Sequence, residues 1–110
     1  MQIPNPDRAV VDVEKLRRYC LSRSHPRGRH KARVFASVLG LAAVDAESLR
    51  SALLEAVLHS NAAPGEKDGY GQRFVLDFEM STPRATARIR SAWIVRTGED
   101  FPRFLTCFVL

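Results

Sequence analysis

The hydrophobic period of this chain changes once, near Gly69, and that single change limits the folds it can adopt. Before Gly69, apolar residues recur at three- and four-residue intervals, the spacing of a helix with one buried stripe. Leu16, Tyr19 and Cys20 form one such stripe, Val34, Phe35 and Val38 a second, and Leu49, Ala52, Leu53, Ala56 and Val57 a third. After Gly69 the period is two, which is the spacing of strands with one covered face. Phe74, Leu76, Phe78 and Met80 alternate with Arg73, Val75, Asp77 and Glu79. Ile89, Ser91, Trp93 and Val95 alternate with Arg88, Arg90, Ala92 and Ile94. Phe104, Thr106, Phe108 and Leu110 alternate with Leu105, Cys107 and Val109. The expected fold is α+β: three N-terminal helices followed by a three-stranded antiparallel β-meander.

Boundaries follow from local chemistry. Residues 1–11, with Pro4 and Pro6, read as an extended arm before one α+β domain over 12–110. Asp12 suits the N-cap of a helix over Val13–Ser22. Ser24-His25-Pro26-Arg27-Gly28 breaks that helix, because a proline disfavours helical geometry in the residue before it. A second helix is expected over Arg29–Leu39 with Gly40 as its stop, and a third over Ala46–Ser60 capped by Asp45. Asn61–Gly69 carries no regular pattern and reads as a polar loop. A length of 110 residues is enough for one core without staples. No apolar run reaches the ~20 residues of a membrane span, and no basic start followed by an apolar block marks a signal peptide. Cys20 and Cys107 have no metal-ligand spacing, so they read as two reduced, mostly buried thiols of a cytoplasmic protein.

Charge is distributed unevenly around a net +5. Lys15, Arg17, Arg18, Arg23, Arg27, Arg29, Lys31 and Arg33 occupy one stretch that holds no acid. Asp45, Glu47, Glu55, Glu66, Asp68, Asp77 and Glu79 make the middle acidic, and Arg84, Arg88, Arg90, Arg96 and Arg103 make the last strands basic again. A basic surface of this kind attracts polyanions. Arg27, Arg29, Arg33, Arg73 and Arg88 are therefore candidate nucleic-acid contacts. Tyr70 and Trp93 have faces on which bases stack, although Trp93 is on the core parity.

The segment with chemical content is His25 to Phe35. On a helical wheel Lys31 precedes Phe35 by four residues and shares its stripe, while His30 lies four before Val34. Both project from the start of the second helix. A histidine moves protons near neutral pH, and a lysine stabilises charge developing on a phosphorane. His30, Lys31, Arg90 and Thr106 are the candidate catalytic set. The competing account is that Lys31 only lays its stem along the apolar surface and His30 caps a turn. The chain has no GxxxxGK[ST] loop, no HExxH, no GxSxG and no carboxylate cluster, so no cofactor or metal is expected.

Segments LRRYCLSRSHPRGRHKARVF, YGQRFVLDFEM and RIRSAWIVRTGEDFPRFLTCFVL resemble a bacterial domain family without assigned function. The matching pattern is Pro26-x-Gly28-x-His30-Lys31-Ala32-x-x-Phe35, Tyr70-Gly71-x-x-Phe74, Trp93-Ile94-Val95 and Pro102-Arg103-x-x-Thr106. The loop between the first two expected strands is short here, so nothing the family holds there carries over. The layout of helices then meander looks like the barnase, EndoU, colicin and RelE class of metal-independent ribonucleases, a fold-level analogy. That resemblance implies a toxin-like endoribonuclease acting on RNA phosphodiester bonds, neutralised by a small acidic antitoxin or immunity protein. The alternative is a non-catalytic module that binds nucleic acid or a partner protein through the same face.

Overall fold

The computed structural model describes residues 1–110. Three short helical segments precede four antiparallel strands in one sheet, ordered β1-β2-β3-β4. Asp12 caps α1 (Val13–Lys15) by accepting the Glu14 N–H at 3.0 Å. The helix then widens into a π-helical turn, Leu16–Cys20, closed by the Leu21 N–H on the Leu16 carbonyl at 2.8 Å. Helix α2 (Arg29–Val34) widens in the same way over Phe35–Leu39 and stops at Gly40, which takes φ +70°. Single turns of this wide type occur mostly where a helix meets a special packing demand. Helix α3 (Ala46–His59) buries Ala46, Leu49, Leu53, Ala56 and Val57. Asp45 does not cap it through its side chain; its carboxylate accepts the Ala42 N–H at 2.9 Å and closes the turn before the helix.

The meander has one strand more than the alternation predicts. Ala62–Asp68, read as a polar loop, is β1 and pairs with β2 (Gly71–Ser81), Ala62 opposite Leu76 and Asp68 opposite Gly71. It escapes a pattern search because only Ala62 is buried, and because a register shift interrupts it between Pro64 and Lys67. Proline, charge and a bulge are the usual means of keeping an edge strand from pairing with another chain, and they erase the alternation that marks a strand.

Strands β3 (Thr86–Arg96) and β4 (Pro102–Val109) complete the sheet. The helices cover the face that carries Phe74, Leu76, Phe78, Ile89, Trp93, Phe104 and Cys107, all in one core with Phe35 and Leu53. Ser91 is buried among them and fully used: its hydroxyl donates to the Leu76 carbonyl at 2.7 Å and accepts the Trp93 indole N–H at 2.9 Å. Trp93 also meets Phe104 edge to face, with centroids 5.6 Å apart. In β4 the strict alternation fails. Trp93 faces Phe104 but Ala92 faces Thr106, so Leu105 is an extra residue, and beyond it Cys107, not Phe108, points into the core. One inserted residue exchanges the two faces of everything after it.

The first eleven residues are part of the packing. Ile3 and Val11 are buried, and Val10 runs parallel to β4, its N–H on the Pro102 carbonyl and its carbonyl on the Phe104 N–H, each at 2.9 Å. No helix is long and apolar enough to cross a membrane.

Candidate functional site

The site forms where the end of α1, the start of α2 and the bulged half of β4 meet. His25 organises the connection between the helices. Its Nδ1 accepts the backbone N–H groups of Arg27 and Gly28, both at 3.0 Å, which places the ring proton on Nε2. Its ring meets Tyr19 edge-on at 4.7 Å. Gly28 has no substitute here: a Cβ at that position would lie 2.2 Å from the Tyr19 carbonyl oxygen. The loop is thus pressed against the end of α1, and α2 starts from a fixed point.

From the first turn of α2, half-buried Lys31 reaches between two rings. Its ammonium lies 5.9 Å from the centroid of Tyr19 and 5.2 Å from that of Phe108, within the range of cation–π attraction. His30 is exposed beside it. His30, Lys31, Val34, Phe108 and Val109 line one hollow of about 260 Å³. Val34 was expected in the buried stripe but is 39% exposed at its rim; Ala32, Phe35 and Leu39 carry the stripe instead.

Behind Lys31 lie two thiols. Cys20 and Cys107 are both free and fully buried. The influence of the Cys107 side chain, assisted by the Cys107 backbone, the Thr106 hydroxyl and the charge of Lys31, outweighs burial and lowers the Cys20 thiol to about 7. Cys107 moves the other way, raised by the influence of Cys20 and by burial. Thr106 Oγ1 is enclosed beside them without a partner at good hydrogen-bond geometry. Its place at the bulge, opposite Ala92, brings it there.

The other expected residues divide sharply. Arg90 grips Asp77 with two bonds of 2.9 Å, and Arg73 holds Asp68 at 2.8 Å. These pairs lower the carboxylate pKa of Asp77, through its bond to Arg90, and of Asp68, chiefly through the Tyr70 N–H and then Arg73. Arg88 is exposed and enters no ion pair. Arg27, Arg29 and Arg33 are exposed around the start of α2 and are also without carboxylate partners. The structure therefore brings His30, Lys31 and Phe108 together on one hollow, leaves Arg27, Arg29 and Arg33 exposed and unpaired on the same stretch of chain, and leaves Arg90 and Arg73 engaged on the open face of the sheet. Tyr19, Phe108 and the thiol pair were missed from sequence. Tyr19 and Cys20 sit on the same helical stripe as Leu16, a signal read only as packing; Phe108 was assigned to the core because the bulge was not visible.

The sequence matches one family over residues 2–110. The chain belongs to the family described as a domain of unknown function, DUF6883. The DUF6883 fold has a solved counterpart in the structure described as a contact-dependent growth inhibition toxin–immunity protein complex from Klebsiella pneumoniae 342. The two chains are 20% identical, with a TM-score of 0.67 over 92% of this chain and 99% of the other, a likeness of fold. No curated protein matches the sequence.

Proposed function

We propose that this DUF6883 domain is a toxin-like, metal-independent endoribonuclease. The observation that carries the reading is the shared hollow of His30 and Lys31 against Phe108, on a helix start whose exposed Arg27, Arg29 and Arg33 no acid neutralises. In this reading RNA lies along Arg27, Arg29 and Arg33, with Arg88 holding a more distant phosphate; Arg73 takes part only if substrate draws it from Asp68. A base stacks near the apolar wall while the scissile phosphate sits at Lys31. His30 moves the proton as the 2′-oxygen attacks phosphorus and the 5′-oxygen leaves, giving a 2′,3′-cyclic phosphate and a free 5′-hydroxyl. Lys31 stabilises the added charge on the phosphorane. Thr106 supports this end of the sheet. Arg90 joins the catalytic set only if substrate draws it from Asp77.

A second reading is favoured by the complex in which the similar fold occurs: a protein partner covers this face. Charge selects a small acidic partner, of the immunity type if the domain is toxic. A cytoplasmic site of action follows from an RNA substrate. The test is induced expression of the full chain, scored for growth arrest and RNA decay, beside Lys31→Met and His30→Gln. Growth arrest and RNA decay that both variants abolish support the nuclease. Intact RNA under full expression of a folded protein rejects it in favour of the binding module.

A further inference from the structure

We infer that the outer edge of β2 from Asp77 to Ser81 is a docking site for an extended, basic strand of a partner protein, which lies antiparallel to β2 and in line with β1. The inference does not depend on the nuclease reading, and none of its residues lines the hollow of His30 and Lys31.

β2 is longer than the strand that covers it. Its inner edge pairs with β3 without interruption, from Gly71 opposite Arg96 to Ser81 opposite Thr86. Its outer edge pairs with β1 only as far as Leu76, opposite Ala62. Strand parity tells which groups this leaves open. Ala62 turns its own backbone away from β2, its N–H on the Met1 carbonyl at 2.6 Å and its carbonyl accepting from the Met1 nitrogen at 3.3 Å. Ala63 and Val75 are therefore a pair that faces across the ladder, and every second residue of β2 beyond Val75 faces the same way. The Ser91 hydroxyl, which reaches the Leu76 carbonyl from the β3 side, agrees with this parity. Asp77, Glu79 and Ser81 thus turn their N–H and C=O groups to an edge where no backbone group meets them. Glu79 and Ser81 are exposed, and Asp77 is half-buried. An unpaired ladder of this kind is a template for one more strand.

Beside the edge lies a groove of about 460 Å³ between β2 and α3. Ala52 and Ala56 of α3 line it with Phe78 and Met80 of β2, and the small alanines leave the width that added apolar side chains fill. Pro64 and a register shift guard β1, but this stretch of β2 has neither. Asp77 is held by Arg90, so the unengaged charge on the edge is Glu79, which stands opposite Arg88 on β3 without an ion pair. Glu55, also in the groove, meets only His59, at 3.2 Å. These carboxylates select a basic strand. They disfavour a second copy, because two copies paired about so short an edge bring Glu79 beside its twin, and like charges on adjacent strands destabilise the pair.

Register then fixes the pattern of the partner. In an antiparallel ladder the residue opposite Glu79 both exchanges backbone bonds with it and shares its face of the sheet. That residue is basic, and its two neighbours are apolar and enter the groove toward Phe78 and Met80.

The probe is the peptide acetyl-Lys-Val-Lys-Val-Lys-Val-amide, titrated into the dilute, isotope-labelled full chain while the amide signals and their hydrogen exchange are followed. Expected are shifts centred on Asp77–Ser81 and exchange at Asp77, Glu79 and Ser81 slowed by about tenfold or more. The same peptide with glutamate in place of lysine is expected to bind about tenfold more weakly, and Glu79→Lys to remove that preference. N-methylation of the lysine amides is expected to abolish binding, whereas N-methylation of the valine amides, which point away from β2, leaves it intact. Glu79→Pro withdraws one outward N–H and no bond to β3, so it is expected to fold and to lose the peptide. If that variant does not fold, the two methylated peptides decide the same point on the wild type. Amides of Glu79 and Ser81 protected in the free chain at every dilution overturn the inference, since the edge is then already covered. Protection that rises with protein concentration alone overturns it in favour of a second copy. Equal binding of the lysine and glutamate peptides, or no shift at Asp77–Ser81 with millimolar lysine peptide, also overturns it.

Discussion

The open face of the sheet and the corner where α2 meets β4 are both rich in cations, and they differ in what surrounds them. On the sheet, Arg73, Arg90 and Arg103 each have a carboxylate within 2.9 Å, namely Asp68, Asp77 and Glu99, while Arg88 and Arg96 have none. At the corner, Arg27, Arg29 and Arg33 have none, and Lys31 is held between two rings. A strand of alternating charge satisfies itself across to its neighbour. A helix start pressed against an edge strand leaves its cations free for a polyanion. The lesson is that cation count marks a region, while counter-ions tell which cations within it are already engaged.

The comparison can be tested by removing parts of it, the largest expected effect first. Trp93 packs beneath both regions, so Trp93→Ala is expected to cost about 3–5 kcal/mol in chemical denaturation. An unchanged midpoint would show that neither region depends on the shared core. Lys31→Met keeps the stem against Tyr19 and Phe108 but removes the charge. It is expected to fold and to lose RNA cleavage by about 100-fold or more, and His30→Gln likewise. Full activity in both would reduce the corner to packing. Reversing the free cations, Arg27→Glu with Arg29→Glu, is expected to weaken RNA binding about tenfold and to flatten its dependence on salt. The same assay on Arg73→Gln and Arg90→Gln should move little; an equal loss there would erase the distinction between the two surfaces.

The smallest effect is a pH dependence. Asp68, Asp77 and Glu99 have depressed folded-state pKa values, chiefly from hydrogen bonds to the Tyr70 N–H, Arg90 and Arg103 respectively. A depressed carboxylate contributes stability that is present above its unfolded value near 4 and lost as pH falls through the folded value. Melting temperature should therefore decline below about pH 4, and Asp77→Asn should make that decline shallower. The pairs lie at the surface, so solvent screening keeps the change slight. A steeper acid slope in the variant would mean that the pair with Arg90 opposes folding.

The α+β class was legible because two periods, helical and alternating, are each dictated by backbone geometry. So were the stop at Gly40 and the cap at Asp12, and His30 and Lys31 do share one hollow at the start of α2, although His30 is exposed there. What was not legible depends on pairing. An edge strand that buries only Ala62 leaves no alternation to read. The bulge at Leu105 exchanges Cys107 for Phe108, and nothing in the one-dimensional pattern announces an inserted residue. The quenching of Arg90 by Asp77 requires knowing that two positions thirteen apart lie side by side on β2 and β3. The pairing of Val10 with Arg103 is the extreme case, since these two become neighbours only when the whole chain has closed.

That closure also sets an order of assembly. Successive hairpins make the sheet from contacts close in sequence, which form quickly once a turn exists. The short parallel pairing of Val10 with β4 joins the two ends of the chain and must wait until nearly everything between them is in place. Truncating Phe74 or Trp93 in the central hairpin should slow folding, while truncating Ile3 or Val11 should mainly speed unfolding. The beginning of the chain then acts as a late latch over β4: a lesion there shortens the lifetime of the native state more than it hinders reaching it.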